Sequence, residues 1–365
     1  MNIHILGGGL LGRLSALALA KQGFQVALHD SGGREGAQSA AYVAAAMLAP
    51  MAEAVDATAL VLALGRQSLP LWHDIVRTLP EPVFLQQNGS LMVWHGQDAA
   101  LAQQFERHLQ RAHAGQTVWQ RWQAADIAAQ EPQLGGRFQA AFYLPGEGQL
   151  DNRQTLLALA AALEQHGAAC HWHSRADAAS LQQADGWLLD CRGFGGKTSW
   201  NAAVGSRLRG VRGEVARVWA PEVALTRPVR LLHPRYPLYI APKPNHVFVI
   251  GATQIEGEDD SPVSVRGGLE LFSALYAVHP AFGEARLLET ASGLRPTLNH
   301  DNPEIRYCPH RRTVAANGLF RHGFMIGPAV ADALARLLCL LRNQQMPPPQ
   351  DAVSGLAWQQ WPTSQ

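Results

Sequence analysis

Met1-Asn2-Ile3-His4-Ile5-Leu6-Gly7-Gly8-Gly9-Leu10-Leu11-Gly12 runs from a short apolar strand straight into a glycine turn, and the reading of that junction decides the fold. An Ala- and Leu-rich helix is expected over 13–21, with Gly23 at its stop. A second strand over 24–29 then ends on an acid, Asp30. Gly7, Gly9 and Gly12 have G-x-G-x-x-G spacing, which marks a dinucleotide-binding βαβ unit when an acid follows about 20 residues on. Gly7 permits the tight turn, Gly9 lets the main chain approach a pyrophosphate, and Gly12 lets helix and strand pack closely. The helix N-terminus offers unpaired N–H groups to the phosphates, and Asp30 would accept from the adenosine ribose. Leu11, inside the turn, and Ser31, beside the acid, are further expected nucleotide contacts. Asp30 alone does not separate NAD from FAD.

The chain of 365 residues has room for two domains, or for one large and one interrupted domain. Its 47% hydrophobic and 16% charged residues supply a core and argue against disorder. Thirty basic against twenty-nine acidic residues leave +1, which gives nucleic acid or an anionic membrane no handle. Cys170, Cys191, Cys308 and Cys339 form no C-x-x-C and read as reduced thiols of a cytoplasmic protein. No signal peptide is expected, and the apolar run 10–20 is too short to cross a bilayer. His171 and His173 would share a strand face, but a third ligand at metal spacing is missing, so no metal is expected.

Residues 37–50, Ala37-Gln38-Ser39-Ala40-Ala41-Tyr42-Val43-Ala44-Ala45-Ala46-Met47-Leu48-Ala49-Pro50, are dominated by small side chains. Such a run suits a tightly packed helix, or backbone lying along something flat. Helix follows over 57–78, and Asn88-Gly89 predicts a hairpin over 84–94. Residues 97–135 read as polar helix and 141–150 as strand and turn. Asp151-Asn152 caps a helix that Gly167 ends, with strand again over 168–173. The strand 187–191 leads into Arg192-Gly193, a glycine turn. Strands 238–242 and 247–253 read as antiparallel around Pro244-Asn245. Pro328 suits the opening of a last helix over 329–341, and the Pro347-Pro348-Pro349 tail is expected to be loose or strapped to the surface.

Several of these stretches together resemble the D-amino-acid oxidase family of flavoproteins, nearest its glycine oxidase branch. They are the opening βαβ turn, Met47-Leu48-Ala49-Pro50 with Glu53 behind, Val211-Arg212-Gly213-Glu214, Tyr239-Ile240-Ala241-Pro242, Gly251-Ala252-Thr253, Gly293-Leu294-Arg295-Pro296 and Phe320-Arg321-His322-Gly323. The resemblance implies a two-dinucleotide-binding, Rossmann-like α/β FAD domain and a second α+β substrate domain on an antiparallel sheet. Residues 1–80, 140–210 and 288–345 would form the first, 81–139 and 211–287 the second, and 346–365 a tail.

The resemblance also implies FAD as a non-covalent cofactor, since no cysteine lies in the stretch where sarcosine-oxidase relatives link theirs. Ala46, Met47, Leu48, Gly193, Gly323 and Met325 would contact it. Relatives usually carry glycine at position 46, a departure that makes Ala46 an open question. By residue type alone Arg295 suits a structural ion pair and Tyr239 an apolar strand; the resemblance makes them the substrate-carboxylate pair. Arg321 would reach substrate or flavin, or pin its own loop. The implied chemistry is oxidative deamination of glycine or a similar small amino acid. Hydride leaves Cα for flavin N5, and molecular oxygen re-oxidises the flavin, giving oxo-acid, ammonia and hydrogen peroxide for thiazole (thiamine) synthesis. No catalytic side chain is required for the hydride step. A D-amino-acid dehydrogenase serving a quinone, a non-catalytic FAD-binding partner and an NAD-dependent dehydrogenase are the alternatives, and a homo-oligomer is compatible with any of them.

Overall fold

Strand Asn2–Leu6 and helix Leu10–Lys21 flank the glycine turn as the motif requires, in a computed structural model that describes residues 1–183, 186–235 and 237–361. Ile3 and Ile5 are fully buried because the strand is central, with parallel neighbours Gln25–His29 and Trp187–Asp190 on its two sides. The sheet has seven strands. From one edge they run Trp358–Gln360, Glu304–Cys308, Thr313–Asn317, Trp187–Asp190, Asn2–Leu6, Gln25–His29 and Ala169–His171. The C-terminal tail is thus strapped down, its residues 358–360 pairing parallel to Glu304–Cys308.

A second, nine-stranded sheet is mostly antiparallel, and Leu208–Trp219 and Arg286–Leu298 form its longest pair. A third sheet of three short strands, Met47–Leu48, Gly148–Leu150 and Leu85–Gln86, bridges the two. This is the expected Rossmann-like FAD architecture with an α+β partner. Two sequence segments change sides. Ala140–Leu144 and the 288–298 part of strand Arg286–Leu298, read as parts of the nucleotide unit, pair in the antiparallel sheet. With those two strands moved, we propose the two-domain division given above.

The hairpin over 84–94 does not form. Leu85–Gln86 pairs with Gly148–Leu150, whereas Ser90–Val93 pairs with Ala140–Leu144 and Val229–Leu231. Asn88-Gly89 carries the chain from one sheet to the next, because the Asn88 side chain donates to the Thr226 carbonyl and Gly89 N–H to that of Glu147. Within 97–135 only Ala99–Ala112 is a long helix; Gln120–Gln123 is an edge strand.

The last helix starts earlier than expected, at Gly323, so Pro328 lies inside it. Proline has no N–H for the carbonyl four residues back, that of Phe324. Trp72, fully buried on helix Ala59–Arg77, supplies the missing donor from Nε1 at 2.7 Å. The stretch Phe320–Arg342 is long and apolar enough to cross a membrane, but 72% of its most apolar window is buried inside the fold.

Candidate active site

The parallel sheet and the antiparallel sheet face one cavity of about 1450 Å³. Gly7, Gly9, Leu11, Asp30 and Ser31 line one end, and Ala46, Met47 and Gly193 follow. Tyr239, Arg295, Arg321, Gly323 and Met325 line the other. Two expected cofactor contacts are not on its wall. Gly12 lies behind the turn, where a Cβ would stand 1.9 Å from the Gly7 carbonyl oxygen. Leu48 points into the core, because alternation on its short strand sends only Met47 toward the cavity.

The turn is built around absent side chains. Gly7 has φ 97°, and a Cβ there would press on the backbone of Cys191 and Arg192 at 2.7–2.8 Å. At Gly9 the nearest atom to such a carbon, Ser39 Cβ, is 3.6 Å away. The start of helix Leu10–Lys21 has neither a side-chain cap nor an acid in its first turn, so its N–H groups are left for an anion. The Asp30 carboxylate accepts from Gly8 N–H and from Gly32 N–H at 2.7 Å, fixing it at the rim. Arg13, which sequence reading missed, is buried beneath the turn. It donates to the carbonyls of Gly8, Arg34 and Leu156 and lies 4.7 Å over Trp172.

The backbone at position 46 accounts for the glycine that relatives carry there. Ala46 sits at φ 53°, in the left-handed region that favours glycine, and Leu150 N–H bonds to its carbonyl. Behind this segment Lys243 is buried and donates to the carbonyls of Ala45 and Leu150 and to Gln149 Oε1. Burial pushes its ammonium down to about 7. The preceding Ala-Pro gave no hint that this lysine would turn inward.

Across the antiparallel sheet Met92, Arg230, Tyr239 and Gly251 stand in register on four neighbouring strands, so the side chains of the first three share the face that looks into the cavity. Burial raises the Tyr239 hydroxyl above its ordinary pKa, against the pull of Arg295. Arg295 lies over Gly213, where a Cβ would meet its Nη2 at 2.2 Å. Its Nη1 and Nη2 donate to the Thr253 carbonyl at 3.1 Å. One edge of the guanidinium is thereby anchored while Arg295 remains on the cavity wall.

Arg321 is held by Glu53 Oε2 at 3.1 Å, Asp56 Oδ2 at 3.5 Å and Gln254 Oε1 at 3.3 Å. Glu53 also accepts from Arg230 at 2.7 Å and lies 3.5 Å from His322 Nδ1. Burial would raise the Glu53 carboxyl, but the Arg230 and Arg321 guanidiniums outweigh it and hold the group far below the usual carboxylate range. His322, desolvated and facing those cations, is pushed down to about 4 despite Glu53. Neither Arg230 nor His322 was singled out as a site residue from sequence. No group of three or more metal-ligating side chains is present among the described residues.

The family model for FAD-dependent oxidoreductases of the DAO type matches residues 2–337. The chain belongs to that family. Its cofactor is FAD, and the cradle fits one: an open Gly9, an uncapped helix start and a carboxylate at the second strand's tip. Among relatives, a Rhizobium etli protein described as a candidate thiamine biosynthesis oxidoreductase, ThiO, is 38% identical over 349 residues, covering 94% of this chain and 98% of that one. Glycine oxidase of Geobacillus kaustophilus is 28% identical over 366 residues, with 92% of each covered. The crystal structure of glycine oxidase from that organism superposes with a TM-score of 0.78 over 94% of this chain and 95% of the other at 23% identity, a likeness of fold.

Proposed function

We propose that this chain oxidatively deaminates glycine or a similarly small amino acid, releasing oxo-acid and ammonia, with electrons passing to oxygen as hydrogen peroxide. We assign the product to the thiazole branch of thiamine synthesis, in keeping with the names of its relatives. The observation that carries the reading is Arg295, anchored on one edge by the Thr253 carbonyl and sharing the cavity wall with Tyr239. A guanidinium so fixed is a carboxylate clamp, and the phenol adds a neutral donor.

FAD, held non-covalently, supplies the hydride acceptor. Gly7, Gly9, Leu11, Asp30 and Ser31 would hold its adenosine diphosphate portion, with Gly193 facing them. Ala46, Met47, Gly323 and Met325 would flank the ring system, and Arg321 one edge of the substrate space. The protein's own part is placement and charge. Tyr239 is held protonated, Glu53 is held ionised by two arginines, and His322 is neutral at pH 7, so none is poised as a base near neutrality. The cations on the wall favour a neutral amine over an ammonium, so the substrate enters as the amine, its proton left in bulk water before the Cα–H bond breaks.

FAD-loaded protein given glycine in air should form peroxide and ammonia in step with oxo-acid. Flavin reduction without peroxide would move the electrons to another acceptor, such as a quinone. No flavin reduction by any small amino acid would overturn the assignment.

A further inference from the structure

Three guanidiniums, Arg230, Arg295 and Arg321, line the substrate end of the cavity, and the buried carboxylate that meets two of them is Glu53. Its side chain is 15% exposed. Asp56 and Glu147 stand near the same arginines. Asp56, 3.5 Å from Arg321, is 71% exposed and screened by water. Glu147 is fully buried and accepts from Ala52 N–H and from the Ser90 hydroxyl; burial raises its pKa against the pull of Arg230. Glu53 reaches across the seam: Arg230 belongs to strand Val229–Leu231 of the antiparallel sheet, and Arg321 to the turn before helix Gly323–Arg342. Each arginine could otherwise compete with Arg295 for an incoming carboxylate.

We propose that Glu53 is a positioning residue that sets the charge of the site. It binds Arg230 and Arg321 together, leaves Arg295 as the sole carboxylate clamp, and limits the positive charge facing the redox centre. Within the group formed by Arg230, Arg295, Arg321 and Glu53, three cations against one anion leave two positive charges. One is matched by the substrate carboxylate and the other by the electron density that accumulates on reduction. Without Glu53 a third positive charge appears and two further guanidiniums are released toward the substrate space. Carboxylates then bind more tightly, but in more than one orientation, and the oxidised cofactor becomes easier to reduce.

The proposal rests on the carboxylate-clamp reading, yet its test needs no turnover, so it can fail while glycine oxidation stands. In FAD-loaded Glu53→Gln, acetate binding, followed by the flavin absorbance, should tighten on the order of tenfold, and the flavin midpoint potential should rise. Glu53→Asp, which keeps the charge, should return the potential toward the wild-type value. Arg230→Met removes a positive charge and should move both quantities the opposite way. A purely structural role predicts weaker acetate binding in every variant. Acetate binding weakened or unchanged in Glu53→Gln, with the potential unmoved, overturns the proposal. If Glu53→Gln does not fold, Arg230→Met decides through the midpoint potential, which should fall; a potential unmoved or raised there overturns the proposal.

Discussion

At the scale of single residues, the account turns on how Arg295 is held. Arg295→Ala should raise KM for glycine by two orders of magnitude or more, since truncating one partner of a buried charge pair costs about 2–5 kcal/mol. FAD should stay bound, and unchanged kinetics would remove Arg295 from the site. Gly213→Ala is a subtler probe. The added methyl occupies the place of the Arg295 guanidinium, a flexible group that can yield, so glycine binding should weaken while the unfolding temperature barely moves. Lys243 gives a pH signature. Burial lowers its pKa from 10.5 to about 7. Between those values the unfolded chain carries a proton that the folded one does not, so stability falls as pH is lowered through that window and levels off below 7. The stability gap between wild type and Lys243→Met should therefore widen in favour of wild type from pH 7 to 10. A gap that stays constant would show that Lys243 does not titrate there. Arg295, Tyr239 and Arg321 were legible because each sits in a motif. Arg230 and Lys243 were not, because their roles depend on which strand lies opposite, and local sequence does not record that.

At the scale of elements, the glycine turn and its two strands were readable because their determinants are local: apolar alternation, glycine spacing and a terminal acid. The Asn88-Gly89 hairpin failed for the opposite reason. Its turn residues are present, but strands Leu85–Gln86 and Ser90–Val93 find partners far along the chain, Gly148–Leu150 and Ala140–Leu144, in different sheets. Helix Gly323–Arg342 likewise began before its proline because a distant tryptophan satisfies the carbonyl that proline cannot. Trp72→Phe keeps the ring and removes that donor, leaving the Phe324 oxygen buried without its partner. Denaturant unfolding should show a loss of about 1–3 kcal/mol; a loss below about 0.5 kcal/mol would mean that the helix does not depend on this bond.

At the scale of the whole molecule, two sheets of different design meet at one cavity. The mostly parallel sheet brings an uncapped helix start and Asp30, while the mostly antiparallel sheet brings Tyr239 and Arg295. The order of these parts was readable along the chain. Their seam was not: strands Ala140–Leu144 and Arg286–Leu298 have no feature that tells which sheet will take them. The central claim is that this seam holds a small amino acid by its carboxylate against FAD. Glycine added without oxygen tests it most directly. Wild type should lose the visible absorbance of its oxidised flavin, and Arg295→Ala should not at the same glycine concentration. A wild-type spectrum unmoved by glycine and other small amino acids, or equal bleaching in both proteins, would contradict the account.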